Sequence, residues 1–279
     1  MIIYKRAADL AISLEKRRSA NQKIGFVPTM GALHEGHISL LGISKRTIGA
    51  TVCSIFVNPT QFNDPADFQK YPVTLEKDIA MLEKAGVDFL FLPDFAEMYP
   101  DGIKDLEKYD LGSLETLLEG KYRPGHFQGV CQVMHRLLDK VRPDDLFMGS
   151  KDYQQCIVVQ RLLDIIELPI VLHRCPIIRE SDGLAMSSRN LRLSPSQRAN
   201  ASAIYRALMT IKTGYTGQPV PSLIDNAAHI LEAAGFRIDY VSVADAFTLE
   251  PIPGASPKGA VALIAAFQGD VRLIDNMVL

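Results

Sequence analysis

Across the first 180 residues, short apolar runs alternate with stretches whose apolar positions recur every three or four residues. The runs lie at 24–28 (IGFVP), 51–57 (TVCSIFV), 87–93 (VDFLFLP), 145–148 and 170–178 (IVLHRCPII), and their length and β-forming content predict buried strands. The stretches between them, at 34–45, 74–85, 129–140 and 155–166, predict helices; in the second, Leu75, Ile79 and Leu82 share one face. Apolar strands alternating with helices indicate a parallel sheet covered on both sides. After about Arg179 the pattern changes. Helices are expected at 195–212 and 222–234, followed by weaker alternating runs at 237–243, 260–267 and 271–277. Only Gln268-Gly269-Asp270 separates the last two, which predicts a hairpin. The expected fold class is α/β, with a parallel-sheet domain over 1–176 and a smaller C-terminal α+β domain over 177–279.

Composition narrows the function classes. The chain has 279 residues, 47% hydrophobic and 22% charged, and can bury a core without disulfide staples. Thirty basic residues against thirty-two acidic give a formal net charge of -2, which excludes nucleic-acid binding driven by overall positive charge. Cys53, Cys131, Cys156 and Cys175 form no C-x-x-C pair and complete no zinc pattern, so they read as free thiols of a reducing cytosol. The N-terminus is charged throughout, and no segment approaches the roughly eighteen consecutive apolar residues of a membrane span. A cytoplasmic protein with no nucleic-acid or membrane partner is expected.

Four segments can carry chemistry. The first strand runs into Pro28-Thr29-Met30-Gly31-Ala32-Leu33-His34-Glu35-Gly36-His37. Such a strand-loop-helix junction aims free N–H groups beyond the sheet's carboxyl edge, where open α/β sheets bind ligands. Gly31 and Gly36 allow close approach of the backbone, and two imidazoles three residues apart at a helix start suit a polyphosphate. The second strand delivers Asn58 and Gln61 to the same edge, where neutral amides can grip a hydroxyl or carboxylate. Residues 149–155 form another strand-to-helix junction, with Lys151 placed for phosphate and Gln155 one helical turn later. In the fourth, Asp182 to Asn190, two hydroxyls and Arg189 make a loop able to clamp an anion. The stretch 121–129 (KYRPGHFQG) reads equally as a phosphate or substrate loop and as a solvated turn. No Walker A loop or G-x-G-x-x-G is present, and no metal-ligand set stands out.

Together these segments closely resemble the pantoate–β-alanine ligase (pantothenate synthetase) family of the nucleotidylyltransferase superfamily. The resemblance is carried by VPTMGALHEGH (27–37), FVNPTQF (56–62), YRPGHFQGV (122–130), VRPDDLFMGSKDYQQ (141–155), DGLAMSSRN (182–190) and RLIDN (272–276), in the family's order along nearly the whole chain. Two positions depart from the family pattern: Ser150 where Glu is frequent, and Val73 where Arg is common. The resemblance implies a Rossmann-like nucleotide-binding domain closed by a C-terminal lid, and a homodimer. It implies ATP as a substrate with Mg²⁺, no tightly bound organic cofactor, and a pantoyl adenylate intermediate. It places ATP against Met30, Gly31, His34, Gly36, His37, Gly149, Lys151, Asp152, Ile178, Met186, Ser187, Ser188 and Arg189. Catalysis would fall to His37, His34, Lys151, Ser187, Ser188 and Arg189, and pantoate and β-alanine to Gln61, Gln155 and Asn58. Two other readings keep the same signature: transfer of AMP or CMP onto a phosphorylated acceptor, and a nucleotide-binding regulator without turnover.

Overall fold

The computed structural model describes residues 1–254 and 259–279. The first part of the chain runs β1 (Ile2–Tyr4), α1 (Ala7–Ser19), β2 (Ile24–Thr29), α2 (Glu35–Thr47), β3 (Ala50–Ile55), α3 (Pro65–Gln69), α4 (Leu75–Lys84), β4 (Phe89–Phe91), α5 (Phe95–Met98), α6 (Leu118–Tyr122), α7 (His126–Val141), β5 (Asp145–Gly149), α8 (Tyr153–Ile165) and β6 (Val171–Cys175). The remainder forms α9 (Pro195–Ala201), α10 (Ala203–Gly214), α11 (Val220–Ala233), β7 (Phe236–Asp245), β8 (Ala260–Gln268) and β9 (Val271–Val278).

The first six strands form one parallel sheet in the order β1-β4-β3-β2-β5-β6. Side-chain alternation sends Phe26, Val52, Phe89 and Leu146 into one apolar cluster, and Val27, Cys53, Leu90 and Phe147 into a second. β3 is buried along its whole length, as a strand with both faces covered must be. The order runs outward from the β2–β5 pair in both directions, so the crevice at their carboxyl ends is the topological switch point. In the C-terminal part, α10 and α11 share an apolar cluster with the antiparallel sheet β7-β8-β9. Among the described residues, no helix is long and apolar enough to cross a membrane.

Every strand and long helix expected from the pattern is present, with ends shifted by a few residues. The β8–β9 hairpin pairs Gln268 with Val271, and Gly269 supplies the positive φ its turn needs. Other elements differ. The short helices α3, α5 and α6 were not expected, nor were β1 and α1: β1 is a three-residue edge strand, and α1 buries only Leu10 and Leu14, too narrow a stripe to stand out among its charges. The single helix expected at 195–212 divides at Ser202, which ends α9 with ψ near −9° before α10 restarts.

β9 stitches the two parts together. Arg272 makes a two-pronged ion pair with Glu119 of α6, both contacts at 2.8 Å, and its Nε donates to Asp239 at 2.8 Å. Tyr240 donates to the same Glu119 carboxylate. Asp275 is buried and receives both arms of Arg179. Asn276 donates to the carbonyls of Ser150 and Lys151, each at 2.9 Å. Burial alone would raise the Glu119 carboxyl, but Arg272, helped by Arg123 and the Tyr240 hydrogen bond, outweighs it and holds the group at about 2. With the folded-state value below the ordinary one, this stabilisation is complete near neutral pH and is lost as pH falls through the acid range toward 2. Glu119→Ala leaves the largely buried Arg272 guanidinium with Asp239 alone, takes away the Arg123 ion pair as well, and is expected to cost about 3–5 kcal/mol. Urea denaturation at pH 7 checks this: the midpoint should fall well below that of the wild type, and an unchanged midpoint would deny the stitch any weight.

Candidate active site

The carboxyl ends of β2, β3, β5 and β6 surround a cleft of about 210 Å³. Every residue expected to meet ATP, pantoate or β-alanine lines it except Gly31. Across Lys151, Asp152, Ser187 and Arg189 it meets a second, charged cleft of about 380 Å³.

His34 is the N-cap of α2, and its Nδ1 accepts the Gly36 N–H at 3.1 Å. His37, at the third position of the helix, accepts the His34 N–H on its own Nδ1 at 3.3 Å. This is a capping box built from two imidazoles. A side chain at residue 36 would strike the His34 ring, so the glycine between the histidines is a steric requirement of the cap. With both Nδ1 atoms accepting, each neutral ring carries its proton on Nε2, the donor left for the cleft. Burial, then the Lys151 charge, lowers His34 to about 4; burial, then His34 and Lys151, lowers His37 to about 3. Both rings are therefore uncharged donors near neutral pH.

Gly31 sits behind this wall, not on it. It and Ala32 adopt φ of 80° and 48°, and the buried Asp78 of α4 accepts the N–H groups of Ala32 and Leu33 at 2.9 and 2.8 Å. What the structure shows of Gly31 is a left-handed turn that glycine adopts without strain. Asp78 was invisible in the sequence because an acid on the amphipathic helix 74–85 reads as a solvated face. Thr74 also donates to it, at 3.0 Å.

Gln61 and Asn58 follow β3. Gln61 is buried at the cleft, and its Nε2 donates to Met30 Sδ at 2.9 Å. Asn58 lines the cleft but is fully buried, and its Nδ2 donates to Gly129 O at 3.1 Å. The stretch 121–129 is divided: Lys121, Tyr122, Pro124 and Gly125 are exposed, Tyr122 and Arg123 line the second cleft, and the buried His126 props Gln61. His126 Nδ1 meets the Gln61 carbonyl at 2.7 Å, and its Nε2 lies 3.0 Å from Arg123 Nη1. A carbonyl can only accept, so the His126 proton lies on Nδ1, and burial, then Arg123, keeps the ring neutral, at about 3. At Gly129 any Cβ would collide with the Thr60 carbonyl, which is why α7 can approach so closely. The α7 face bearing Val130, Val133, Met134 and Leu137 gives the cleft an apolar wall. Its periodicity was legible, but only as core.

The positive groups converge from three directions. Lys151, in the turn after β5, lies 3.3 Å from Asp152. At Gly149 a Cβ would meet only open space. Gln155 lies in the first turn of α8, and Ile178 and Met186 are joined by a Met186 N–H to Ile178 O hydrogen bond at 3.0 Å. Ser187 caps the turn at 188–192, and Ser188 Oγ donates to Ala32 O at 2.9 Å. Arg189 and Arg192 grip one carboxylate, Asp67 of α3, at 2.8 and 2.7 Å. Asp67 was not anticipated, since nothing in 63–70 distinguishes it from a turn acid. Of the two departures from the family pattern, Val73 is 77% exposed and off the cleft, while Ser150 opens the turn that carries Lys151.

The geometry makes a direct prediction about protonation. In an NMR titration of the free protein, the ring protons of His34 and His37 should stay unmoved from pH 8 to about 5.5, because depressed imidazoles titrate only below that range. A step near the ordinary histidine value would show that the rings are charged in solution.

The family model described as "Pantoate-beta-alanine ligase" matches residues 2–278. A pantothenate synthetase of Bacteroides thetaiotaomicron is 42% identical over 99% of this chain and 98% of its own. One of Cytophaga hutchinsonii is 42% identical over 100% and 99%. The crystal structure of pantothenate synthetase from Thermus thermophilus superposes with a TM-score of 0.93 at 40% identity, covering 99% of both chains. A pantoate–β-alanine ligase from Francisella tularensis, complexed with "Beta-gamma ATP and Beta-alanine", gives 0.82 at 35% identity, covering 100% of this chain and 97% of that one. The chain belongs to the pantoate–β-alanine ligase family.

Proposed function

We propose that this protein condenses pantoate with β-alanine to pantothenate, using ATP and passing through a bound pantoyl adenylate. The observation that carries this reading is one cleft lined by two uncharged imidazole donors, Lys151, Arg189 and two uncharged carboxamides, Gln61 and Gln155. In the first step a pantoate carboxylate oxygen bonds to the α-phosphorus of ATP, and the bridging oxygen leaves with pyrophosphate. Pantoate is already ionised at neutral pH, so the step needs alignment and charge stabilisation, not a base. Gln61 and Gln155 hold the hydroxyl and carboxylate, and the α7 wall accepts the paired methyl groups. His34, His37, Lys151, Ser187, Ser188 and Arg189 stabilise the charge that grows on pyrophosphate. In the second step the amine of β-alanine attacks the acyl carbon and AMP leaves; a phosphate oxygen of the adenylate takes the ammonium proton.

Among the described residues, no group of three or more His, Cys, Asp or Glu is arranged to hold a metal. Mg²⁺ therefore fits as an ion carried in by the ATP phosphates and water, with Asp152 the carboxylate at the cleft. Nucleotidyl transfer to a phosphorylated acceptor fits less well, because such an acceptor calls for cations where Gln61 and Gln155 stand. A cytoplasmic homodimer, with domains divided at 176/177, completes the proposal; the four buried free thiols suit a reducing compartment.

Mixed with ATP and pantoate but no β-alanine, the protein is expected to release about one equivalent of pyrophosphate and stop, as read in a quenched single-turnover assay. Absence of pantoate-dependent pyrophosphate would refute the ligase reading. His37→Ala removes one preorganised donor and should slow that release at least ~100-fold. Circular dichroism must show an intact fold, and a near-normal rate would take His37 out of the mechanism.

A further inference from the structure

We propose that Tyr99, which does not touch the cleft, is a positioning residue for the pantoate-binding carboxamide: through Asn58 it holds Gln61 with its amide nitrogen, not its oxygen, turned to the substrate. The inference rests on the function proposed above.

The polarity of this chain of groups is set by a carbonyl. Gly129 O can only accept, so the Asn58 atom facing it at 3.1 Å is Nδ2. The same Nδ2 lies 3.4 Å from Gln61 Oε1, which leaves Gln61 Nε2 on the cleft side, beside Met30 Sδ. Asn58 Oδ1 then points away from the cleft into a site with no solvent exposure, where it requires a donor. The Tyr99 hydroxyl supplies it at 2.7 Å. Thr60 Oγ1 lies 3.0 Å from Nδ2 and 3.3 Å from Oδ1, so its one proton is a longer and poorer substitute. The hydroxyl has little freedom. The Tyr99 ring stacks on Phe95 at 5.3 Å, the Arg136 guanidinium lies 5.0 Å over it, and the side chain is almost completely buried. Without that hydroxyl, Oδ1 keeps only the 3.3 Å Thr60 contact, and the choice between the two amide orientations rests on Gly129 O alone; part of the Asn58 population can then turn over, exchanging the Gly129 bond for one from a flipped Gln61 amide. Turned, it presents oxygen to Gln61 Oε1, and Gln61 must flip in response. The cleft would then offer a carbonyl oxygen where an anionic, hydroxylated acid needs a donor.

The test is a double-mutant cycle with Tyr99→Phe, Gln61→Ala and the pair, reading kcat/KM for pantoate at subsaturating acid and KM for ATP. Tyr99→Phe is expected to lower kcat/KM for pantoate about tenfold, the order of one unsatisfied buried acceptor, and to leave KM for ATP unchanged. In the Gln61→Ala background the same change should add nothing, because the group it orients is gone. Equal losses in both backgrounds, a parallel rise in KM for ATP, or no loss at all would overturn the proposal. If Tyr99→Phe lacks a cooperative thermal transition, Asn58→Asp carries the test: it replaces the Nδ2 donor with an acceptor at the same volume and should give the same pantoate-selective loss, a normal kcat/KM overturning the idea. A wild-type protein without pantoate-dependent turnover would defeat the ligase reading and this one together, which sets that failure apart from an active enzyme with additive losses.

Discussion

Two backbone N–H groups at the start of one helix decide how the active cleft can work. Because His34 and His37 use their Nδ1 atoms to cap α2, neither ring can rotate without uncapping the helix. Each is left with one outward hydrogen, and burial beside Lys151 keeps it from becoming a cation. The site thus separates two duties. Fixed positive charge comes from Lys151 and Arg189, whereas directional donation comes from neutral rings whose orientation is part of the secondary structure. The switch point between β2 and β5 adds the rest, since four strand ends open onto one crevice and each brings a different kind of group.

The C-terminal strand explains why that crevice is more than the edge of a sheet. Arg272, Asp275 and Asn276 lie within five residues of β9 and reach three separate places: α6, the Arg179 bend, and the turn that carries Lys151. Asn276 is the most direct of these links, because it fixes the two carbonyls next to the cleft's central ammonium group. Polar groups buried at such a junction cost desolvation, and all three are matched by partners close to ideal geometry.

Much of this was legible in the sequence, for identifiable reasons. Strands buried on both faces leave unbroken apolar runs, so β2 and β3 could be read directly, and the three-residue gap between two alternating runs marked the β8–β9 hairpin. The cleft residues could be read because strand ends in parallel sheets gather ligand-facing groups, and because several motifs occur in one order along the chain. Residues acting at second hand were hidden. Asp78, Asp67 and Gly129 are ordinary residue types whose importance depends on what lies across from them, at separations of 46, 122 and 71 residues in their hydrogen bonds to Ala32, Arg189 and Asn58. The stretch 121–129 shows the same limit, since nothing in its sequence told that His126, alone among its polar groups, turns inward to Gln61. α1 was hidden for the opposite reason: it buries too little to leave a periodic trace.

The shared carboxylate of Asp67 bears on which anions the cleft will accept. Arg189 is already neutralised by a partner, which burial would render costly and which Arg189 and Arg192 together keep ionised. An arriving anion therefore exchanges one contact for another, and its gain is the difference between two attractions, not the whole of one. A singly charged oxyanion offers Arg189 little that Asp67 does not. A triphosphate brings several charges on one rigid frame and can satisfy Lys151 and the histidine donors in the same movement. Selectivity against the abundant small anions of a cell can thus reside in an acid that lines the adjoining cleft and pairs with the arginine from behind.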